Sequence, residues 1–324
     1  MFVGHAFLAL ALGLFLGQIA GLRSSRLLAL GLVAAGASIV PDLDLVVTVG
    51  SIAGVFGDSL VGSWEGYWGA SNPLHRDVSH TLIGGFGAAI VVGGAAIGTR
   101  SFFNQRVGPL FGAVGIGVVG LFLPLLVLGS AVETVGWVGY SVVLLGAVLL
   151  GALAATKTTL GPGPVFAGAA LGLLLHPFTD VFLGTPPRMF YPLEPGLFAE
   201  SVVFTADSTL NLLGIALAEL AAIWVGVIAL SRVHGRRIGE VVDRWAAIGL
   251  VYPLVMLFVP QPTMADAHWL GFTLVPFGIV GLAPLLESGR TDPDWLLRSV
   301  ATGLATLTVA AVAYGVSLAI RGIA

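Results

Sequence analysis

The stretch NPLHRDVSHTL, residues 72–82, sets His75 and His80 around Arg76 and Asp77 in a chain that is otherwise mostly apolar. Three further places carry chemistry of the same kind. IVPDLDLV puts Asp42 and Asp44 two residues apart, beyond a helix expected to break at Pro41, so that both carboxylates face one side of an extended turn. LLLHPFTDVF separates His176 and Asp180 by four positions, which on a helix brings both side chains to one face within reach of a single ion. Pro177 interrupts regular helix there and suits the first turn of a new one. His5 stands alone near the start of the chain. Each group also has a plain structural reading: an acidic helix exit, a solvated loop with Ser79 capping the helix that follows, a Pro-kinked helix end, an interfacial histidine. Imidazole and carboxylate are ligands for zinc-type ions, and hard-oxygen calcium sites would not need so many histidines. With no cysteine in the chain, disulfides, thiolate nucleophiles and Cys-ligated metals are excluded.

The elements that must position these residues are membrane helices. Of 324 residues 57% are hydrophobic and 10% charged, against roughly 25% charged in a soluble domain. Apolar runs approach or reach the ~20 residues that a helix needs to cross the hydrocarbon, and strand alternation is absent. The expected fold is all-α, a polytopic transmembrane helical bundle of about ten spans, at 4–20, 22–41, 80–98, 107–128, 135–155, 164–179, 209–230, 245–262, 269–286 and 297–320. Residues 45–57 are apolar but only 13 long, which favours a re-entrant or interfacial segment. The first apolar run lacks the positive flank of a signal peptide and reads as a retained first helix. The 46 glycines suit close helix packing. Residues 1–208 hold the His/Asp positions; 209–324 form C-terminal transmembrane helices without an assigned role.

Lys and Arg set orientation, because they are retained on the cytoplasmic side. Ten spans put Arg23, Arg26, Arg100, Arg106, Lys157, Arg232, Arg236, Arg237, Arg244, Arg290 and Arg298 on one side, and Arg76, Arg188 and Arg321 on the other. The first side is then cytoplasmic and both termini lie outside, in a multi-pass protein of the cell membrane. His5, Asp42, Asp44, His75, His80, His176 and Asp180 all fall at extracytoplasmic ends of their segments. The apolar parts before Asp42 and His176 hold only 14 and 12 residues, ~18–21 Å of a ~30 Å core. An unpaired Asp at such depth costs ~2.5–3.5 kcal/mol on insertion scales. A divalent cation offsets that cost, and the set suffices for one to three ions, zinc before others. His234, in a basic loop, and His268 are left outside the set. Glu219 is a polar residue in mid-span, and Glu194, Glu200 and Asp207 read as a solvated loop. A net charge of −3 without a Lys/Arg run excludes a nucleic-acid surface. Oligomeric state is not legible.

The early His5, PDLD (Pro41 to Asp44), HRDVSHTL (His75 to Leu82) and HPFTDVFLGTPPRMFYPLEP (His176 to Pro195), in that order, resemble the YdjM-like family of membrane-bound metal-dependent hydrolases. The resemblance covers about residues 1–200, and the family's early Thr-His is Gly4-His5 here. The pattern is similar to that of zinc-dependent phospholipase C and P1-type nucleases, which implies hydrolysis of a phosphoester or lipid headgroup, with the bilayer and a small-molecule or lipid substrate as partners. The resemblance implies a metal-activated water oriented by Asp42 or Asp44, and Arg76 as the clamp for an anion. Arg188 and Tyr191 are second candidates for substrate contact. Two other readings stay open: a metal or proton transporter, which needs polar groups continuing to the cytoplasmic side, and a purely structural site, which needs closed coordination.

Overall fold

The computed structural model describes residues 3–47, 75–128, 134–182, 186–191, 193, 198, 200–288 and 294–322. Every described element is an α- or 3-10 helix. Contacts divide the chain into two units, Val3–Val202 and Val203–Ala324.

In the first unit α1 (Gly4–Ile19) and α2 (Ser24–Ile39) form a hairpin whose turn uses Gly21 at φ +67°, a conformation that costs glycine least. α2 also packs on α6 (Pro162–Thr179). α3 (Leu82–Phe103) lies against α4 (Val107–Leu128), α5 (Thr134–Lys157) and α6. Leu30, Val33, Ala37, Ala88, Val92, Val143, Ala169 and Leu173 belong to one buried cluster. The small side chains among them let backbones approach closely, as membrane helices require. The closest approach brings α6 to α2: a Cβ at Gly172 would overlap the Ala34 carbonyl oxygen and lie 2.7 Å from the Ser38 nitrogen.

α2 does not end in an extended turn. Val40–Asp44 is a 3-10 helix that follows α2 directly, with Pro41 in its first turn, where proline is tolerated. Residues 45–47 continue the helix; the rest of the 45–57 segment lies outside the described residues. α6 likewise runs through Pro177 to Thr179 instead of restarting there.

In the second unit α7 (Ser208–Val233) packs on α8 (Trp295–Ile320), with Trp224 Nε1 donating to Thr308 Oγ1 at 2.9 Å. The chain between them includes two 3-10 runs, Arg244–Val251 and Val275–Leu282, which pack on α8.

Among the described residues, seven helices are long and apolar enough to cross a membrane: Ser24–Val47, Leu82–Phe103, Gly136–Lys157, Pro162–Phe182, Ser208–Val233, His268–Leu286 and Trp295–Ile320. A count of ten is not confirmed: the three other expected spans fall on the apolar helices Gly4–Ile19, α4 and Arg244–Val255, the first and third of them short. The first is ended by the Gly21 turn, and the third is tightened by its 3-10 start.

Within the first unit the basic residues separate by end. Arg23 and Arg26 flank the start of α2, Arg100 and Arg106 the end of α3, and Lys157 ends α5. Arg100 donates to the Thr158 carbonyl at 3.5 Å, which ties two of these loops together. Arg76 and Arg188 lie at the other end, where the Met189 carbonyl accepts from the Leu82 nitrogen at 2.8 Å.

Gly172→Ala should lower the thermal midpoint of the detergent-solubilised protein by the equivalent of ~1–3 kcal/mol, the usual cost of overpacking. Gly163→Ala, with nothing within 4 Å of the added carbon, should leave it unchanged. Equal midpoints in both variants would refute the close α2–α6 contact.

Candidate metal centre

Four pieces of the first unit deliver the polar residues to one place. His5 sits in the first turn of α1, Asp42 and Asp44 in the 3-10 turn that ends α2, His176 in the last turn of α6 and Asp180 at its C-cap. His80 belongs to a 3-10 turn, Val78–His80, ahead of α3, with His75 shortly before it. His5, His80 and His176 have no exposure at all, and Asp42, with 24% of its side chain exposed, is the most open of the seven.

Asp42 is the hub. Its Oδ1 lies 3.4 Å from His75 Nε2, 3.4 Å from His176 Nε2 and 4.0 Å from His80 Nε2, and its Oδ2 lies 3.4 Å from His5 Nε2. Asp180 Oδ2 is 3.3 Å from His80 Nε2 and 3.6 Å from His176 Nε2, and the two Nε2 atoms face each other at 2.9 Å. Asp42, His80, His176 and Asp180 thus each offer one ligand atom within 4.8 Å of all the others. Four ligands at 2.0–2.1 Å from a tetrahedral zinc would be separated by about 3.3 Å, so the edges of the set are already near those of a coordination shell. Asp44, His75 and His80 form a second, overlapping group.

Hydrogen bonds decide what the buried rings present. His176 Nδ1 lies 2.7 Å from the Ser38 carbonyl oxygen, which can only accept, so Nδ1 carries the proton and a neutral ring turns its Nε2 lone pair toward the cluster. Such a second contact is how ligating imidazoles are usually oriented. Burial, reinforced by the neighbouring His75, lowers the pKa of His80 below the ordinary imidazole range, so this ring too is neutral and able to ligate. A bare imidazole nitrogen and two carboxylate oxygens aimed at one buried point make a strongly cation-seeking environment, and the donor set fits a divalent ion.

Arg76 lies against the cluster. Its Nη1 donates to the Asp180 carbonyl at 3.1 Å and its Nη2 is 4.0 Å from Asp180 Oδ2. Burial lowers its pKa, opposed by Asp180 and then Asp42, yet a guanidinium remains charged. Arg188 is exposed and stacks over Tyr191 at 4.2 Å.

Two local expectations are corrected. The helix-capping residue of α3 is Thr81, whose Oγ1 accepts from Gly84 N at 2.9 Å; Ser79 instead contacts Asp44 and His80. Its place in a 3-10 turn, two residues before the cap, turns the hydroxyl inward. Asp207 is not merely part of a solvated loop: it caps α7, Oδ1 accepting from Leu210 N at 2.8 Å. Glu194 lies outside the described residues. His234 is exposed and His268 buried, both in the second unit, and Glu219 is half-buried in α7. Ser38 and Ser79 are site residues that pattern reading passes over. Ser38 acts through its carbonyl, which no side-chain motif announces, and a Ser before a His reads equally well as a cap.

The chain matches no family model, no curated protein and no solved structure. Fold and site together define a protein of apolar, membrane-length helices with a buried His/Asp cluster able to bind a metal ion.

Protein purified in detergent without chelator should carry a divalent transition metal. His176→Ala should lose most of it, while His268→Ala, a buried histidine outside the cluster, should keep it. Elemental analysis checks this, and equal metal in both variants would contradict the assignment.

Proposed function

We propose that the protein is a membrane-embedded metal-dependent hydrolase that cleaves a phosphoester, in a small molecule or a lipid headgroup, at the extracytoplasmic face of the cell membrane. The observation that carries this reading is the convergence of two imidazole nitrogens and two carboxylate oxygens beside a partly buried guanidinium. The resemblance to the YdjM-like hydrolases, and through it to zinc-dependent phospholipase C, points the same way.

His80, His176, Asp180 and Asp42 would hold the ion, most simply zinc, which when bound supplies Lewis acidity and lowers the pKa of a water toward ~7. The protein's own groups do the rest. Asp42, the most exposed member, would offer Oδ1 to the ion, while Oδ2 would serve as acceptor for a proton of the attacking water. His5, 3.4 Å from Asp42 Oδ2, orients that carboxylate. Arg76 holds the anionic oxygen of the ester; its planar fork suits phosphate, and its buried position strengthens the contact as charge develops in the transition state.

Two features favour this reading over a transporter. Beneath the cluster, the buried positions on facing helices are Leu30, Val33, Ala37, Val92, Ala169 and Leu173, an apolar plug where an ion path would need polar groups. Arg76, moreover, gives an anion a place beside the metal, which cation transport does not call for. The extracytoplasmic assignment is supported by charge: in the first unit Arg23, Arg26, Arg100, Arg106 and Lys157 lie at the end away from the cluster and only Arg76 and Arg188 beside it. That asymmetry does not depend on the number of spans elsewhere.

A panel of phosphodiesters and phospholipids presented to the purified protein should reveal a substrate that wild type hydrolyses. Arg76→Lys should keep its metal and lose ~10²–10³ in rate, the usual cost of removing a donor to developing charge. No turnover of any member by metal-loaded wild type, or an undiminished rate in Arg76→Lys, contradicts the proposal. For sidedness, single cysteines in this cysteine-free chain at Asn104 and at Leu193 should react with an impermeant thiol reagent from opposite faces, Leu193 from outside. Reaction of Asn104 from outside would invert the assignment.

A further inference from the structure

We propose that Ser79 is a positioning residue of the metal centre: its hydroxyl couples Asp44 to His80, so that one carboxylate, itself not a ligand, orients the His80 imidazole toward the ion and the His75 imidazole toward the ligand Asp42. This rests on the metal-centre reading above and adds to it how the ligands are set.

The inference follows from counting protons. Ser79, Asp44 and His80 are all buried. Ser79 Oγ touches Asp44 Oδ2 and lies 2.9 Å from His80 Nδ1. The hydroxyl has one proton to give. An ionised carboxylate offers none, so the contact with Asp44 Oδ2 is satisfied only if Ser79 donates to it. The hydroxyl oxygen must then accept from His80, and Nδ1 carries the hydrogen. In a neutral ring that leaves Nε2 bare, facing His176 Nε2 at 2.9 Å and Asp180 Oδ2 at 3.3 Å. The opposite arrangement, with Ser79 donating to His80, would press two oxygen lone pairs together out of reach of water, and would protonate the ring at the ligand position.

The other oxygen of Asp44 does the same work directly. His75 Nδ1 lies 2.5 Å from Asp44 Oδ1; donating there, the ring turns a bare Nε2 toward Asp42 Oδ1 at 3.4 Å. Both Asp44 oxygens are thereby used by donors, and the side chain is held from behind, since a carbon added at Gly139 of α5 would come within 3.2 Å of its Cβ. Asp44, Ser79 and His75 are therefore a hydrogen-bonded support for the ligands His80 and Asp42, and not part of the shell of a second ion. The chain binds one tightly held metal.

The test uses full-length protein in detergent, with zinc as the probe and a chromophoric chelator as competitor. The variants are Ser79→Ala, Ser79→Val and Ser79→Thr, of which Thr keeps the hydroxyl and Val has nearly its shape without it. Wild type should bind one equivalent. Ala and Val should bind ~10–100-fold more weakly, the usual effect of losing a second contact to a ligand, and Thr should stay within a few-fold of wild type. The absorption spectrum of the cobalt(II)-loaded protein should be altered in Ala and Val and restored in Thr. Ala and Val binding as tightly as wild type, Thr as weak as Val, or two tight equivalents in wild type would each overturn the proposal. Metal-loaded wild type without hydrolytic activity would overturn the hydrolase reading while leaving this one standing; wild type that binds no zinc would overturn both.

Discussion

Three carboxylates, Asp42, Asp44 and Asp180, are withdrawn from most of their water at the ends of apolar helices, and the removal of ionised groups from water costs several kcal/mol apiece unless they are matched. The architecture of the first unit meets that constraint. Four histidines and an arginine from three chain segments are brought to the carboxylates, within contacts of 2.5–4.0 Å. Imidazole rings do not by themselves supply the charge that three buried carboxylates call for, and the one guanidinium supplies only part of it. A bound cation would complete the match, which makes the metal reading and the stability of the unit one question.

The precision of the cluster comes from backbone, at positions remote from the chemistry. Gly172 lets α6 press onto α2, and one turn later the His176 ring reaches the Ser38 carbonyl of the same neighbour. Thr81 starts α3 cleanly, leaving the preceding 3-10 turn to hold His80 and Ser79 inward. Tyr140 of α5 donates to the Gly84 carbonyl at 2.9 Å and fixes α5 against the start of α3. Each candidate ligand thus stands at a helix terminus packed against another helix, and rigid elements rather than loops define the geometry.

Much of this was legible in the sequence, and for physical reasons. Apolar composition and run length dictate helices that pack through small residues, and the His/Asp spacing of His176 and Asp180 is that of one helix face. Less legible was anything set by local competition between helix types. Pro41 and Pro177 read as breaks, yet one opens a 3-10 turn and the other is accommodated within α6, because a proline costs least where a hydrogen bond is already absent or changing register. The number of spans was less legible for a related reason: apolar content marks a segment, but the tight 3-10 run at Arg244–Val251 and the Gly21 turn shorten the helix it forms. Ser38 and Ser79 were invisible because one contributes a carbonyl and the other a hydroxyl whose alternative use, as a cap, is equally reasonable.

The claim on which everything else stands is that His80, His176, Asp42 and Asp180 surround one divalent ion. X-ray absorption at the zinc edge of the loaded, detergent-solubilised protein tests it most directly. The predicted spectrum has a first shell of nitrogen and oxygen at about 2.0–2.1 Å, with no sulfur, and the outer-shell scattering of two imidazole rings that disappears in part in His176→Ala. A spectrum of oxygen neighbours alone, without imidazole scattering, would mean that the ion sits elsewhere and would contradict the assignment.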